Sequence, residues 1–224
     1  MVSRSSIENP TMNEVPSIAA PNESSIVVRT PFDEEALGMA DCHLDAFPDR
    51  PMSLMGPDWL EFLYRHYMQA EQGVSIVAVR DSQPVGLAVG GHPDLLAGFR
   101  RAATRRFPVK LAMATVRSSV VRRSVLASMT GRFKKQASVL PPDEPGTGSL
   151  LSICVRSDFE GQGIASRLLD AFQTASAEAG FSSLRLSVLG ENTRARRFYE
   201  RHGWELRPIN GSLSVRYVCK LERS

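Results

Sequence analysis

One stretch constrains the fold more than any other: LLSICVRSDFEGQGIASRLLDAFQTASAEAG, running from Leu150 to Gly180. An apolar run reads as a strand over Leu150–Val155. Behind it, Ile164, Leu168, Phe172, Ala175 and Ala179 recur at helical spacing and predict an amphipathic helix over Gly161–Ala179. Gly180 stands where a C-terminal cap belongs. Between strand and helix lies Glu160-Gly161-Gln162-Gly163-Ile164-Ala165. Amides at a helix start have no partner within the helix, and the helix dipole adds partial positive charge there. With glycines in place of side chains, a pyrophosphate can come close to the backbone.

Three phosphate-binding readings compete for this turn, beside the plain one of glycines placed for steric reasons. A Walker loop ends in Gly-Lys-Ser/Thr, and this turn continues Gly-Ile-Ala. A dinucleotide fingerprint would read Gly161-x-Gly163-x-x-Ser166. It lacks the third glycine and follows an antiparallel hairpin instead of opening a parallel sheet. The remaining reading is a loop for the pyrophosphate of coenzyme A.

A second motif supports that reading. In GENTRARRFYERHGWEL, Asn192 is a good helix N-cap and Gly203 ends the helix. The string Asn192-x-x-Ala195-x-x-Phe198-Tyr199-x-x-x-Gly203-Trp204 resembles the second motif of the GNAT acetyltransferase superfamily. Gly163 and Ala165 match that family's coenzyme loop, Arg/Gln-x-x-Gly-x-Gly/Ala. Glu160 stands where the family has Arg or Gln. The resemblance is strong over Leu150–Leu206, fair over Ser24–Gly91, and absent over Leu95–Leu140.

The resemblance implies a mixed α/β fold with a mostly antiparallel sheet whose two central strands, Leu150–Val155 and Leu184–Leu189, splay apart. It implies acetyl-coenzyme A as cosubstrate and no metal. The pantetheine arm would bond to main chain around Ile153 and Val155. The pyrophosphate would meet the loop Gly161, Gln162, Gly163, Ile164, Ala165 and Ser166. Asn192 is a candidate contact to the coenzyme, as well as a cap. Tyr199 is the candidate acid for the departing thiolate, and the Val155 amide the candidate oxyanion donor. The expected reaction is acetyl transfer to a primary amine of a small molecule such as an amino sugar. Alternatives are acetylation of a protein N-terminus or lysine, and a non-catalytic coenzyme sensor. The general base is open: Ser152, Glu34, Glu35, Asp41, His43, Asp45 and His92 are all candidates, as is a water chain.

Upstream, the alternation in SSIVVRTPF predicts a strand from Ser24 to Phe32. A helix follows from Asp33 to Phe47, and another begins at Pro57. Two apolar runs around Asp81-Ser82-Gln83-Pro84 predict a hairpin over Val74–Gly91. Downstream, strands are expected at Trp204–Arg207 and Leu213–Leu221, with a helix over Asn192–His202. Residues 1–23 are polar and read as a flexible tail; 24–224 read as the catalytic domain.

Charge singles out one further segment. Eleven of the chain's 27 Lys and Arg fall between Leu95 and Leu140, together with none of its 24 Asp and Glu. This segment reads as a helical insertion over about 94–148, divided by Pro108. Leu95, Phe99, Ala102, Ala103 and Phe107 form one apolar stripe. Val109, Ala112, Met113, Val116 and Val120 form another, and each needs a surface to cover: the main domain, a second subunit in a homodimer, or a membrane interface. The charge invites an anionic membrane surface or a phosphorylated acceptor. Nucleic acid ranks last for want of aromatic interleaving. The three cysteines, Cys42, Cys154 and Cys219, form no CxxC pair and read as buried thiols in the reducing cytoplasm. The insertion would allow peripheral attachment to the inner face of the membrane.

Overall fold

The computed structural model describes residues 25–117, 143–207 and 213–222. The polar tail and residues 118–140 of the basic segment lie outside the described residues. Seven strands form one sheet: β1 (Val27–Arg29), β2 (Gly73–Arg80), β3 (Gln83–Gly91), β4 (Thr147–Val155), β5 (Ser183–Leu189), β6 (Glu205–Arg207) and β7 (Ser214–Lys220). Their order is β1-β2-β3-β4-β5-β7-β6. Among the described residues, only the central pair, β4 with β5, is parallel. The helices are α1 (Ala36–Ala46), α2 (Pro57–Met68), α3 (Leu95–Arg106), α4 (Pro108–Arg117), α5 (Ile164–Glu178) and α6 (Thr193–Arg201).

The sheet is covered on both faces, which is why IVAV (76–79) and PVGLAV (84–89) are apolar at consecutive positions instead of alternating. Ile76, Ala78 and Ala88 pack with Leu168 and Phe172 of α5 on one side. Val77, Val79, Leu87 and Val89 pack with Leu60, Leu63 and Tyr64 of α2 on the other. The β4–α5–β5 crossover carries the glycine turn on the end of a central strand.

Several boundaries differ from the sequence expectation. The first strand shrinks to Val27–Arg29, because Glu35 takes over the following turn: it receives both terminal nitrogens of Arg29 at 2.7 Å and the Phe32 amide at 2.7 Å. The hairpin loop shortens to Asp81 and Ser82, both with positive φ (50° and 62°), the conformation a two-residue turn requires. Pro84 therefore lies inside β3, tolerated because the register shifts there. β4 begins at Thr147, inside the stretch assigned to the insertion. The helix expected from Gly161 starts at Ile164, so both glycines precede it.

The cysteines are buried and unpaired. Burial pushes the Cys42 thiol up to about 12 and the Cys154 thiol well above its ordinary value, so neither is a thiolate nucleophile at neutral pH. His43 is also buried, with Nδ1 2.6 Å from the Tyr64 hydroxyl. Its Nε2 has no partner among the described residues. Burial holds its pKa down to about 4, against 6.5 when solvated. The unfolded chain therefore takes up this proton first. Stability is full above about pH 6.5 and is lost as pH falls toward 4, by about 2 kcal/mol at pH 5. Thermal melts from pH 7 to 5 should show this loss, and His43→Gln should flatten it. An equally steep loss in the variant would assign the sensitivity elsewhere.

Candidate active site

Thr147, Gly148 and Ser149 of β4 pair with Ser183, Leu184 and Arg185 of β5, and the ladder stops there. Beyond it, Leu150–Val155 and Leu186–Leu189 have no mutual pairing, so the centre of the sheet opens as a fork. The cause is local. The β3–β4 register jumps from Val89↔Ser152 to Gly90↔Leu150, which leaves Leu151 as an extra residue. A bulge increases twist and bends its strand, and this one begins where the parallel ladder ends.

The fork has free main-chain groups along β4. The Arg156 amide donates to Val85 of β3 at 2.9 Å. By strand alternation, the main-chain groups of Val155 and Ile153 then point away from β3, into the fork. The side chains of Ile153 and Val155 pack against the α5-side core that also contains Tyr199.

At the fork's end, a single 3₁₀ turn (Ser157–Phe159) leads into the glycine turn. Gly161 and Gly163 have φ of 78° and 75°, and a β-carbon on either would meet nothing within 4 Å. Their glycines are thus required by left-handed backbone, not by crowding, and the space over the loop is open. The amides of residues 161–166 donate to no backbone carbonyl among the described residues. Ile164 sends its side chain into the core and leaves its amide at the helix start. Gln162 is exposed, and Ala165 and Ser166 are half-buried. Asn192 caps α6, its Oδ1 accepting from the Ala195 amide at 3.1 Å.

Tyr199 of α6 is 7% exposed. It lies between Phe198, Trp204 and Tyr217, with ring centroids at 5.3, 5.6 and 6.0 Å. Burial raises its pKa and keeps the phenol protonated.

Two features of the site escaped the sequence. Glu160 pairs with Arg194 in the first turn of α6 at 2.9 Å, so its charge does not stand alone beside the turn. Arg194 gave a faint signal, standing two residues after a recognisable cap. Asp45 accepts from the Ser157 amide at 2.6 Å and its hydroxyl at 3.3 Å, fastening α1 to the glycine turn. No local pattern could reveal a contact across 112 residues. Among the base candidates, Asp45 and Glu35 are thus occupied by structural bonds, and His43 and Ser152 are buried. His92 sits at the surface 3.8 Å from Asp94, and Glu34 and Asp41 are exposed. The described residues include no cluster of side chains able to hold a metal ion, and no helix among them is long and apolar enough to cross a membrane.

A sequence profile of the GNAT acetyltransferase family matches residues 38–204, which takes in the fork, the glycine turn and α6. The chain belongs to the GNAT acetyltransferase family. No curated protein sequence matches it. The fold is shared with solved structures of low identity. SsHAT aligns with a TM-score of 0.63 at 20% identity, over 88% of this chain and 98% of its own. The ribosomal-protein-S18-alanine N-acetyltransferase of Escherichia coli aligns at 0.53 and 13% identity, over 89% and 95%. The PaiA N-acetyltransferase of Thermoplasma acidophilum, solved with coenzyme A, aligns at 0.51 and 12% identity, over 88% and 99%. These likenesses show a shared fold.

Proposed function

We propose that this GNAT protein moves an acetyl group from acetyl-coenzyme A to a primary amine of a small molecule by direct transfer. The observation that carries the reading is the β4–β5 fork opening onto unpaired amides at a helix start. Acetyl-coenzyme A supplies an activated thioester. Ile153 and Val155 offer it strand-like main-chain bonds, in the manner of an added strand. The amides from Gln162 to Ala165 take the pyrophosphate, with Gly161 and Ser166 at the ends of the loop. Asn192 holds the start of α6 beside the cleft.

The Val155 amide stabilises the negative charge that develops on the thioester oxygen. As the C–N bond forms and the C–S bond breaks, Tyr199 gives its proton to the sulfur. The phenol is then restored from solvent, and the amine's proton leaves to water. The acceptor side also bears on substrate class. Glu35 is neutralised by Arg29, which weakens the pull of the acceptor side on a basic peptide. That favours a small amine such as an amino sugar.

The test is release of free coenzyme A from acetyl-coenzyme A against a panel of amino sugars, polyamines, lysine peptides and N-terminal peptides. Release with small amines is expected. Release with peptides alone would make this a protein acetyltransferase. Binding without release on any amine would make it a coenzyme sensor.

The Glu160–Arg194 pair gives a separate prediction. A surface ion pair of this kind contributes roughly 0–1 kcal/mol. Glu160→Gln removes an anion near the phosphates and frees Arg194, so calorimetry should show acetyl-coenzyme A binding unchanged or up to about tenfold tighter. Weaker binding would mean that the pair shapes the loop.

A further inference from the structure

Neither α3 nor α4 contributes to the fork or the glycine turn. Both are fixed to α2 by their inner faces. Phe99 and Ala103 are buried, and Phe99 meets Trp59 edge-on at 5.2 Å. Phe107 meets Phe62 at 5.5 Å, and Leu111 packs into the same cluster. Lys110 pairs with Asp58 at the start of α2. The stripe expected on α3 is therefore covered by the main domain.

On α4, two residues of the expected stripe, Val109 and Met113, are not covered by any described residue. Val109 is 69% exposed and Met113, one turn later, 47% exposed, with Ala112 exposed between them. A helix that turns Lys110 and Leu111 toward the protein and Val109 and Met113 toward water inverts the usual arrangement. Arg101, Arg105 and Arg106 are exposed on the adjoining helix. They belong to the segment in which eleven cations occur without one anion.

We propose that the outer face of α3 and α4 docks on an anionic lipid bilayer, the arginines meeting headgroup phosphates and Val109 and Met113 entering the interface. The charge of the segment selects the partner's sign. The exposed apolar pair selects a lipid surface over a soluble polyanion, because such residues gain only where hydrocarbon is available. Among the described residues of the segment, Phe99 and Phe107 face Trp59 and Phe62 and so offer nucleic acid no stacking platform. The docking proposed is at the bilayer surface: no helix among the described residues is long and apolar enough to cross a membrane. Docking of this kind is independent of the transfer chemistry.

The test is flotation of the full chain with phosphatidylcholine vesicles, with and without phosphatidylglycerol. Binding should require phosphatidylglycerol and weaken as salt rises. Each cation near an anionic surface contributes roughly fivefold, so replacing Arg101, Arg105 and Arg106 with Gln should weaken binding by about a hundredfold. Val109→Asp with Met113→Asp should also abolish flotation, while circular dichroism and coenzyme affinity stay at wild-type values. Absence of flotation at low salt would overturn the proposal, as would equal binding to neutral vesicles. Wild-type flotation by the Asp variant would show that the cations alone hold the chain on the vesicle and would overturn the entry of Val109 and Met113 into the interface. A concentration-dependent dimer that the Asp variant loses, without vesicle binding, would make this face a contact between two copies.

Discussion

Replacing Tyr199 by Phe is expected to lower turnover by about 10²-fold or more while leaving coenzyme affinity within about twofold, the pattern of a general acid that acts only as the C–S bond breaks. Phe keeps the ring that packs against Phe198, Trp204 and Tyr217. The variant therefore removes one oxygen and little else, and its melting temperature should hardly move. Burial raises the Tyr199 pKa, so the group is a proton donor across the neutral range. Single-turnover kinetics at saturating acetyl-coenzyme A isolates the chemical step. An unchanged rate there would return Tyr199 to a packing role within its aromatic cluster.

Gly163→Val should weaken acetyl-coenzyme A binding by an order of magnitude or more, in addition to a stability loss of roughly 1–2 kcal/mol. A side chain at Gly163 would meet no neighbour within 4 Å, so the fold does not exclude it sterically. The penalty comes from φ of 75°, which a β-branched residue resists at a cost of roughly 1–2 kcal/mol or more. The chain can relieve that strain by rotating the turn, and rotation re-aims the amides of residues 162–165. Where the turn stays in place, the valine methyls occupy the space a pyrophosphate needs. Gly163→Ala should lie between, with less bulk and similar strain. Calorimetry showing equal affinity in the Val variant would remove the turn from the binding site.

The sequence was most legible where local chemistry and global fold agree. The alternation of strands, glycines and amphipathic helices from Leu150 to Leu206 appears in the structure with small shifts at its ends. Gly180 and Gly203 take positive φ, as helix-ending residues do. Asn192 bonds the amide that its position as a cap requires. What stayed hidden depends on contacts between distant residues. The bulge at Leu151 arises from the register against β3 and leaves no mark in LLSICV itself. The Glu160–Arg194 pair and the Asp45 anchor each join separate motifs. His43, read as one acceptor-side candidate among several, proved to be a neutral core group beside Tyr64, because burial is set by how α1 packs on α2. The α4 stripe was visible as a pattern, but its outward direction was not. The helix is oriented by Phe107, Lys110 and Leu111, whose partners lie on α2.

The central claim is that the fork and the glycine turn together hold acetyl-coenzyme A, and amide hydrogen exchange with and without it tests that claim most directly. Free main-chain groups at Ile153 and Val155, and amides of residues 162–165 without carbonyl partners, should exchange fast in the free protein. Addition of acetyl-coenzyme A should slow exchange in both stretches together, and leave α3 and α4 unchanged. Protection that misses both stretches, or none at saturating acetyl-coenzyme A, would contradict the account.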